Sequence, residues 1–208
     1  MIDPHLFILF MLGAVALNLT PGPDMAFVLA QSANGGPRQG MAAAWGIGTG
    51  FLGHMGLAAF GVTAVIAAWP PAFEIVRYAG RGYLLWLAIG MIRHPPHLQR
   101  NLGEAGILRA YRRGVLTSLT NPKVAMFTLA FLPQFISPHA GPAWVQILLL
   151  GSAFNTSGII VNSAVAFAGG RIAARMTRDP GLGRVMGYVS GTVMGALAIR
   201  LVWPQRGF

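Results

Sequence analysis

The chain has 208 residues, 54% hydrophobic and only 10% charged, where an ordinary soluble domain carries about a quarter charged, and this argues against a water-soluble fold. Its net charge of +10 sits between apolar blocks and never alternates with aromatic residues as a nucleic-acid groove requires, so no nucleic-acid partner is expected. The absence of cysteine removes disulfides and thiol redox relays and disfavours an electron carrier.

Six segments are long and apolar enough to cross the roughly 30 Å hydrocarbon layer, which takes about twenty residues of helix. They are 5–32, 40–69, 72–92, 114–136, 143–169 and 186–203. Their continuous apolar runs lack the alternation of barrel strands. The expected fold is therefore an all-α integral membrane protein with one transmembrane domain over 1–208.

In the first segment, Ala14-Val15-Ala16 has the form of a signal cleavage site, yet a secretory signal begins with positive charge and this chain begins Met1-Ile2-Asp3-Pro4. The segment is read as a retained span. Pro21, Gly22 and Pro23 interrupt it, because proline removes a backbone donor and clashes with the preceding turn. Asp24 follows at once. Helical rise puts it about 15 Å from the boundary at Asn34, near the midplane.

The second span holds Thr49 and His54 among apolar residues, and Gly46 with Gly50 forms a G-x-x-x-G unit that lets helix backbones approach closely. His54 is either a proton relay or a hydrogen-bonded packing residue. In the third span Glu74, Arg77 and Arg81 share a face, as an outer gate or as a self-neutralising cluster with arginines reaching the interface. The connection 93–113 is a basic strap suited to anionic headgroups. Its His94 and His97 have no further ligands beside them, and no metal site or cofactor is expected.

The fourth span carries an echo of the first. Leu119-Thr120-Asn121-Pro122-Lys123 resembles Leu19-Thr20-Pro21-Gly22-Pro23 in pairing Leu-Thr with a helix breaker, and each break carries one charge. Related motifs in spans one and four imply two three-helix halves, about 5–92 and 114–203, inverted by the odd number of crossings, with helices 1 and 4 interrupted near the midplane. Lys123, the chain's one lysine, also lies about 15 Å inside the boundary, where an ionised group costs at least about 2.5–3.5 kcal/mol. Such groups face the bundle interior. Lys123 and half-helix amides can meet a carboxylate, and Asp24 and freed carbonyls an ammonium; Asp24 is also a candidate carrier of a coupling proton. An Asp24–Lys123 ion pair that only locks two helices is the structural alternative.

The fifth span adds Asn155, Thr156, Ser157, Asn162 and Ser163, as cavity lining or interhelical hydrogen bonds; Asn155 and Thr156 join the candidate site. In the sixth, Gly187, Gly191 and Gly195 repeat the close-packing spacing and leave a homo-oligomer open. The first, third and fifth connections hold Arg38, then Arg93, Arg100, Arg109, Arg112 and Arg113, then Arg171, Arg175, Arg178 and Arg184; the opposite side has Arg206. Basic loops stay in the cytoplasm, so both termini are expected outside. No nucleophile with a base, paired carboxylates or phosphate loop emerges, so an enzyme is not expected.

Several of these motifs together resemble the lysine exporter family, the LysE/RhtB amino-acid exporters, over nearly the whole chain. They are Asn18 to Asp24 (N-L-T-P-G-P-D), Gly80 to Leu87 (G-R-G-Y-L-L-W-L), and Thr120 to Phe135 with its N-P-K and L-P-Q-F elements. The resemblance implies efflux of amino acids or close derivatives across the bacterial inner membrane by proton or ion antiport. By position Pro21, Gly22, Pro23, Asp24, Asn121, Pro122 and Lys123 match the family's recurring residues, while Arg81 and Ala88 depart from a usual small residue and a usual glycine. The rival reading is a channel or an embedded scaffold.

Overall fold

The computed structural model describes residues 4–68, 106–137 and 140–178, with isolated helical positions in 75–93 and 185–196. The described residues are helical, without strands. Most of the expected third and sixth spans, with Glu74, Arg77, Arg81, His94, His97 and the glycines of the sixth, lies outside them.

Helix α1 (Pro4–Leu19) starts on a proline, which suits a first helical position, and stops where Pro21 and Pro23 approach. Thr20 closes its last turn by donating Oγ1 to Ala16 O at 2.7 Å. Helix α2 (Pro23–Ala68) folds back on itself at Gly36, whose φ of 74° only glycine adopts readily. Gln39 Nε2 donates to Gln31 Oε1, 2.6 Å away, although residues eight apart on one straight helix lie about 12 Å apart. Residues 23–35 thus complete the first span, and 37–68 form the second.

Helix α3 (Ile107–Leu119) begins beside that hairpin tip, where Gly106 N donates to Gln39 Oε1 at 3.3 Å. It starts seven residues before the expected span. Its first turns alternate Arg109, Arg112 and Arg113 with buried Ala110, an amphipathic pattern that a search for purely apolar runs passes over. The end of the expected strap is therefore helical. After the break at Thr120 and Asn121 come α4 (Pro122–Met126), a π-helical turn (Phe127–Phe131) and a 3-10 turn (Leu132–Phe135). Helix α5 (Ala143–Arg178) runs nine residues past the expected fifth span.

The residues 143–168 of α5 are long and apolar enough to cross a membrane unaided; α1 with Pro23–Gly61 of α2, and α3 with Pro122–Phe135, are long and apolar enough as pairs bent by more than 40° at their breaks. Gly46 and Gly50 sit against α3. A Cβ on Gly46 would lie 2.1 Å from Tyr111 O, and one on Gly50 2.5 Å from Val115 O, so this close-packing unit works within the chain.

Two apolar clusters divide the bundle along its length. One is aromatic: Phe10, Phe127, Phe131, Phe135, Phe51 and Phe154 are 0–5% exposed, with ring centroids 4.5 Å apart for Phe127–Phe131 and for Phe127–Phe154. The other, toward the hairpin tip, is smaller in grain, with Met25, Leu29, Ala43, Ala44, Ile47, Ala110 and Ala166. Ser32 Oγ donates to Ala166 O at 2.9 Å, bringing the later part of α5 to the tip. Arg38, the arginines of α3 and the Arg171–Arg178 end of α5 therefore share one end of the bundle, while the described residues 4–10, 60–68, 132–137 and 140–146 at the other end include no lysine or arginine.

Candidate functional site

The two helix breaks meet between these clusters. Asn121 caps α4, its Oδ1 accepting from Lys123 N at 3.0 Å, and Pro122 begins the helix where no donor is needed. Lys123 is thereby held in the first turn, and its stem runs toward the other break. Its Nζ donates to Leu17 O at 3.0 Å and Thr20 O at 2.9 Å. Both carbonyls lie at the C-terminal end of α1, where Leu17 O also accepts from Thr20 N at 3.1 Å, so a cation here adds donors where the helix runs out of them and suits the dipole of the half-helix. Gly22 is explained by the same contact: a Cβ there would lie 3.2 Å from Lys123 Nζ and 3.5 Å from its Cδ.

Asp24 stands in the first turn after the other break, where a helix N-terminus favours a carboxylate. Asn121, Lys123 and His54 are the groups facing it. Among the described residues it forms no ion pair with Lys123, which gives its protons to carbonyls instead. The locking pair weighed from the sequence is absent in this state. Asp24 Oδ1, Asn121 Nδ2 and Ser118 Oγ are all buried, and none has a hydrogen-bond partner. Each such atom costs about 1–3 kcal/mol if nothing occupies its lone pair or proton; Asp24 and Ser118 line one cavity, and the Asn121 amide faces Asp24.

That cavity is lined by Asp24, Lys123, Ser118, Thr20 and Asn18 on the side of the breaks, and by side chains of α2 and α5 on the other. Its volume is about 30 Å³. That holds a water molecule, whereas a pocket for an organic ligand runs to about 300–1,000 Å³. Met25 and Ile47 line the site on the side of the small-residue cluster, and Phe51 and Phe154 line it on the side of the aromatic cluster.

Of the residues expected from sequence, Asp24, Lys123 and Asn155 line this cavity together, and Asn121 and Gly22 border it through Lys123. Pro21 is buried at the first break, while Pro23 and Pro122 are exposed and act on the backbone. His54 stands behind the lining, its Nε2 2.9 Å from Ser118 O. Thr156 is exposed on α5 and stands apart from the lining; helical rotation by one residue carries it off the face that Asn155 shares with Asn162. Thr49 is also exposed, bonded to Trp45 O and Tyr111.

Asn18 and Ser118 were legible but not singled out. They occupy the same place before Leu-Thr in the two echoing motifs. Asn18 Nδ2 donates to Ser157 Oγ at 2.9 Å and Phe154 O at 3.3 Å, bracing the first break against α5, as the His54–Ser118 contact braces the second against α2.

Interrupted apolar helices that enclose opposite charges define a helical membrane protein with a polar interior. The chain belongs to the LysE type translocator family, whose model matches residues 15–205. It is 32% identical over 197 residues to an uncharacterized membrane protein of Pseudomonas aeruginosa, covering 91% of this chain and 89% of that one. It is 31% identical over 196 residues to a leucine efflux protein of an Enterobacter species, covering 92% of both, and 30% identical over 202 residues to a leucine efflux protein of Klebsiella pneumoniae, covering 96% and 95%. No solved structure matches it.

Proposed function

We propose that this protein exports a neutral amino acid from the bacterial cytoplasm across the inner membrane, by secondary active transport with a proton or another ion moving the opposite way. The observation that carries the reading is that Asp24 Oδ1 and Ser118 Oγ are buried without hydrogen-bond partners in a cavity lined also by Lys123, with the Asn121 amide facing Asp24. A zwitterion supplies what they lack. Its ammonium can donate to Asp24 Oδ1 and Ser118 Oγ, and its carboxylate can accept from Asn121 Nδ2 and from Lys123 Nζ once that ammonium turns from the carbonyls of α1. The leucine efflux relatives support an amino-acid cargo.

Two inverted three-helix repeats are part of the proposal. Asn18 of the first break reaches position 154, and position 118 of the second receives His54; the same shift in sequence relates both partners. The small cavity fits an occluded state, which opens when one half-helix rocks away from its brace. Asp24 is the proposed coupling group, alternating between substrate ammonium and proton. The basic end is assigned to the cytoplasm, with both termini outside.

Proteoliposomes loaded with unlabelled L-leucine provide the test. Saturable counterflow of labelled L-leucine, and accumulation driven by an imposed pH gradient, are expected. A non-saturating flux would indicate a pore, and no flux of any amino acid would refute the transport reading.

A further inference from the structure

Beyond the charged half of the site, the cavity has a second wall. Ile47 and Phe51 stand one turn apart on α2, Phe154 and Ile159 project from α5, and together they face the breaks. Asp24 and Lys123 are the ionisable residues of the lining, and in the reading above both are engaged by the substrate's main-chain charges. A charged side chain directed at the opposite wall would meet aromatic and aliphatic groups and the neutral amides of Asn155 and Asn162, with no counter-charge.

Gly48 lies between Ile47 and Phe51, buried in the interior of a helix, where glycine is disfavoured against alanine. Its φ is not positive, so conformation does not call for it. Space does. A Cβ at position 48 would lie 2.7 Å from Ile159 Cδ1, 2.8 Å from Ile159 Cγ1 and 3.3 Å from Asn155 Oδ1, all belonging to cavity residues on the facing helix. Any atom added there must displace Ile159, a β-branched side chain with few rotamers to retreat into, and so reshapes the cavity wall it forms. On the facing helix a Cβ at Gly158 would meet the Asn18 amide at 3.3 Å, so this wall too is at van der Waals limit.

Resting on the transport reading above, we infer that Ile47, Phe51, Phe154 and Ile159 form a side-chain subsite for neutral aliphatic amino acids, and that the Gly48–Ile159 contact sets the largest side chain it admits. Gly48 is a specificity-determining residue and Ile159 its counterpart. One methylene in an apolar pocket discriminates about 10–200-fold, so the effect is measurable as a ratio of rates.

The test uses full-length protein in proteoliposomes, with counterflow of labelled L-alanine, L-leucine and L-phenylalanine, and with L-lysine as competitor. Gly48→Ala should shift the leucine-to-alanine rate ratio about tenfold toward alanine. Ile159→Ala should shift it the other way and raise phenylalanine exchange. The double variant should return toward the parent ratio, because the added and removed carbons meet each other. L-lysine should compete at least about tenfold more weakly than L-leucine in the parent. Transport that persists with unchanged ratios in both single variants overturns the subsite while leaving transport intact, as does equal competition by L-lysine. If Gly48→Ala does not fold, the ratio in Ile159→Ala decides alone. A parent protein that moves no amino acid overturns the transport reading and the subsite with it.

Discussion

Replacing Lys123 by methionine separates a structural lysine from a working one. The side chain keeps its bulk beside Gly22 and loses the charge that caps Leu17 O and Thr20 O. Two hydrogen bonds from a charged donor contribute about 1.5–3 kcal/mol each, so about 3–6 kcal/mol is lost. Removing an ionised group from membrane depth returns at least about 2.5–3.5 kcal/mol. The net destabilisation is then between roughly zero and 3 kcal/mol, and most of the protein should still purify as a folded, monodisperse species. Transport should respond far more. Truncating one side of a buried charge contact costs about 2–5 kcal/mol, which at 1.4 kcal/mol per decade is about thirtyfold or more. Counterflow is measured per folded molecule, the folded fraction coming from size-exclusion chromatography. A methionine variant that folds and exchanges L-leucine within twofold of the parent would refute the carboxylate-binding role and reduce Lys123 to a helix cap.

Asp24→Asn keeps the shape of the side chain and an acceptor oxygen for the ammonium but removes its charge and titratable proton, so leucine exchange should be weakened yet measurable while accumulation driven by a pH gradient is lost; retention of that accumulation would remove Asp24 from coupling. Gly46→Ala would press a methyl group against the Tyr111 carbonyl, a backbone atom that cannot rotate away, and should destabilise by about 1–3 kcal/mol. Gly56→Ala, with nothing within 4 Å of the added carbon, is the control and should leave the melting temperature unchanged or slightly raised. Because the chain has no cysteine, single cysteines at Arg38 and Arg206 report topology without background. A membrane-impermeant maleimide applied to intact cells should label the second and spare the first, and the reverse pattern would invert the orientation.

Charge and proline carried most of what the sequence could say. Asp24 and Lys123 announce themselves because an ionised group in an apolar span needs a reason, and Pro21, Pro23 and Pro122 mark where each span must break. The partner of Lys123 was not legible. Coulomb reasoning on the two charges alone suggests an ion pair, yet Lys123 bonds the carbonyls at the end of α1, and only the crossing of the two half-helices decides that. Thr156 and Asn155 are neighbours in sequence with the same polarity, and their separation depends on the rotation of α5 about its axis, which a polar pair in an apolar run does not fix. The π-helical turn at Phe127–Phe131 was equally hidden, since no single residue there breaks a helix. The apolar wall of Ile47, Phe51, Phe154 and Ile159 escapes for the opposite reason: in a membrane protein such residues are everywhere, and only an adjacent cavity gives a few of them a role.

The way polar groups are satisfied around the breaks argues for where motion is stored. A structural break in lipid should close every freed group on protein, because no water is at hand to do it. Much of this one is closed in that manner: Thr20 and Thr120 bond back into their own last turns, Asn121 Oδ1 caps α4, and Lys123 covers two carbonyls of α1. Of these, the Lys123 bonds join one broken span to the other, while the rest are local to their own breaks. The atoms left over belong to the same residues or their neighbours, so Asn121 is satisfied on its oxygen and unsatisfied on its nitrogen. A ligand that fills the remaining positions competes directly with the contacts that keep the bundle closed, above all for the protons of Lys123. In the transport cycle proposed above, binding and opening are one exchange of hydrogen bonds, and a solute without both a carboxylate and an ammonium has no means of starting it.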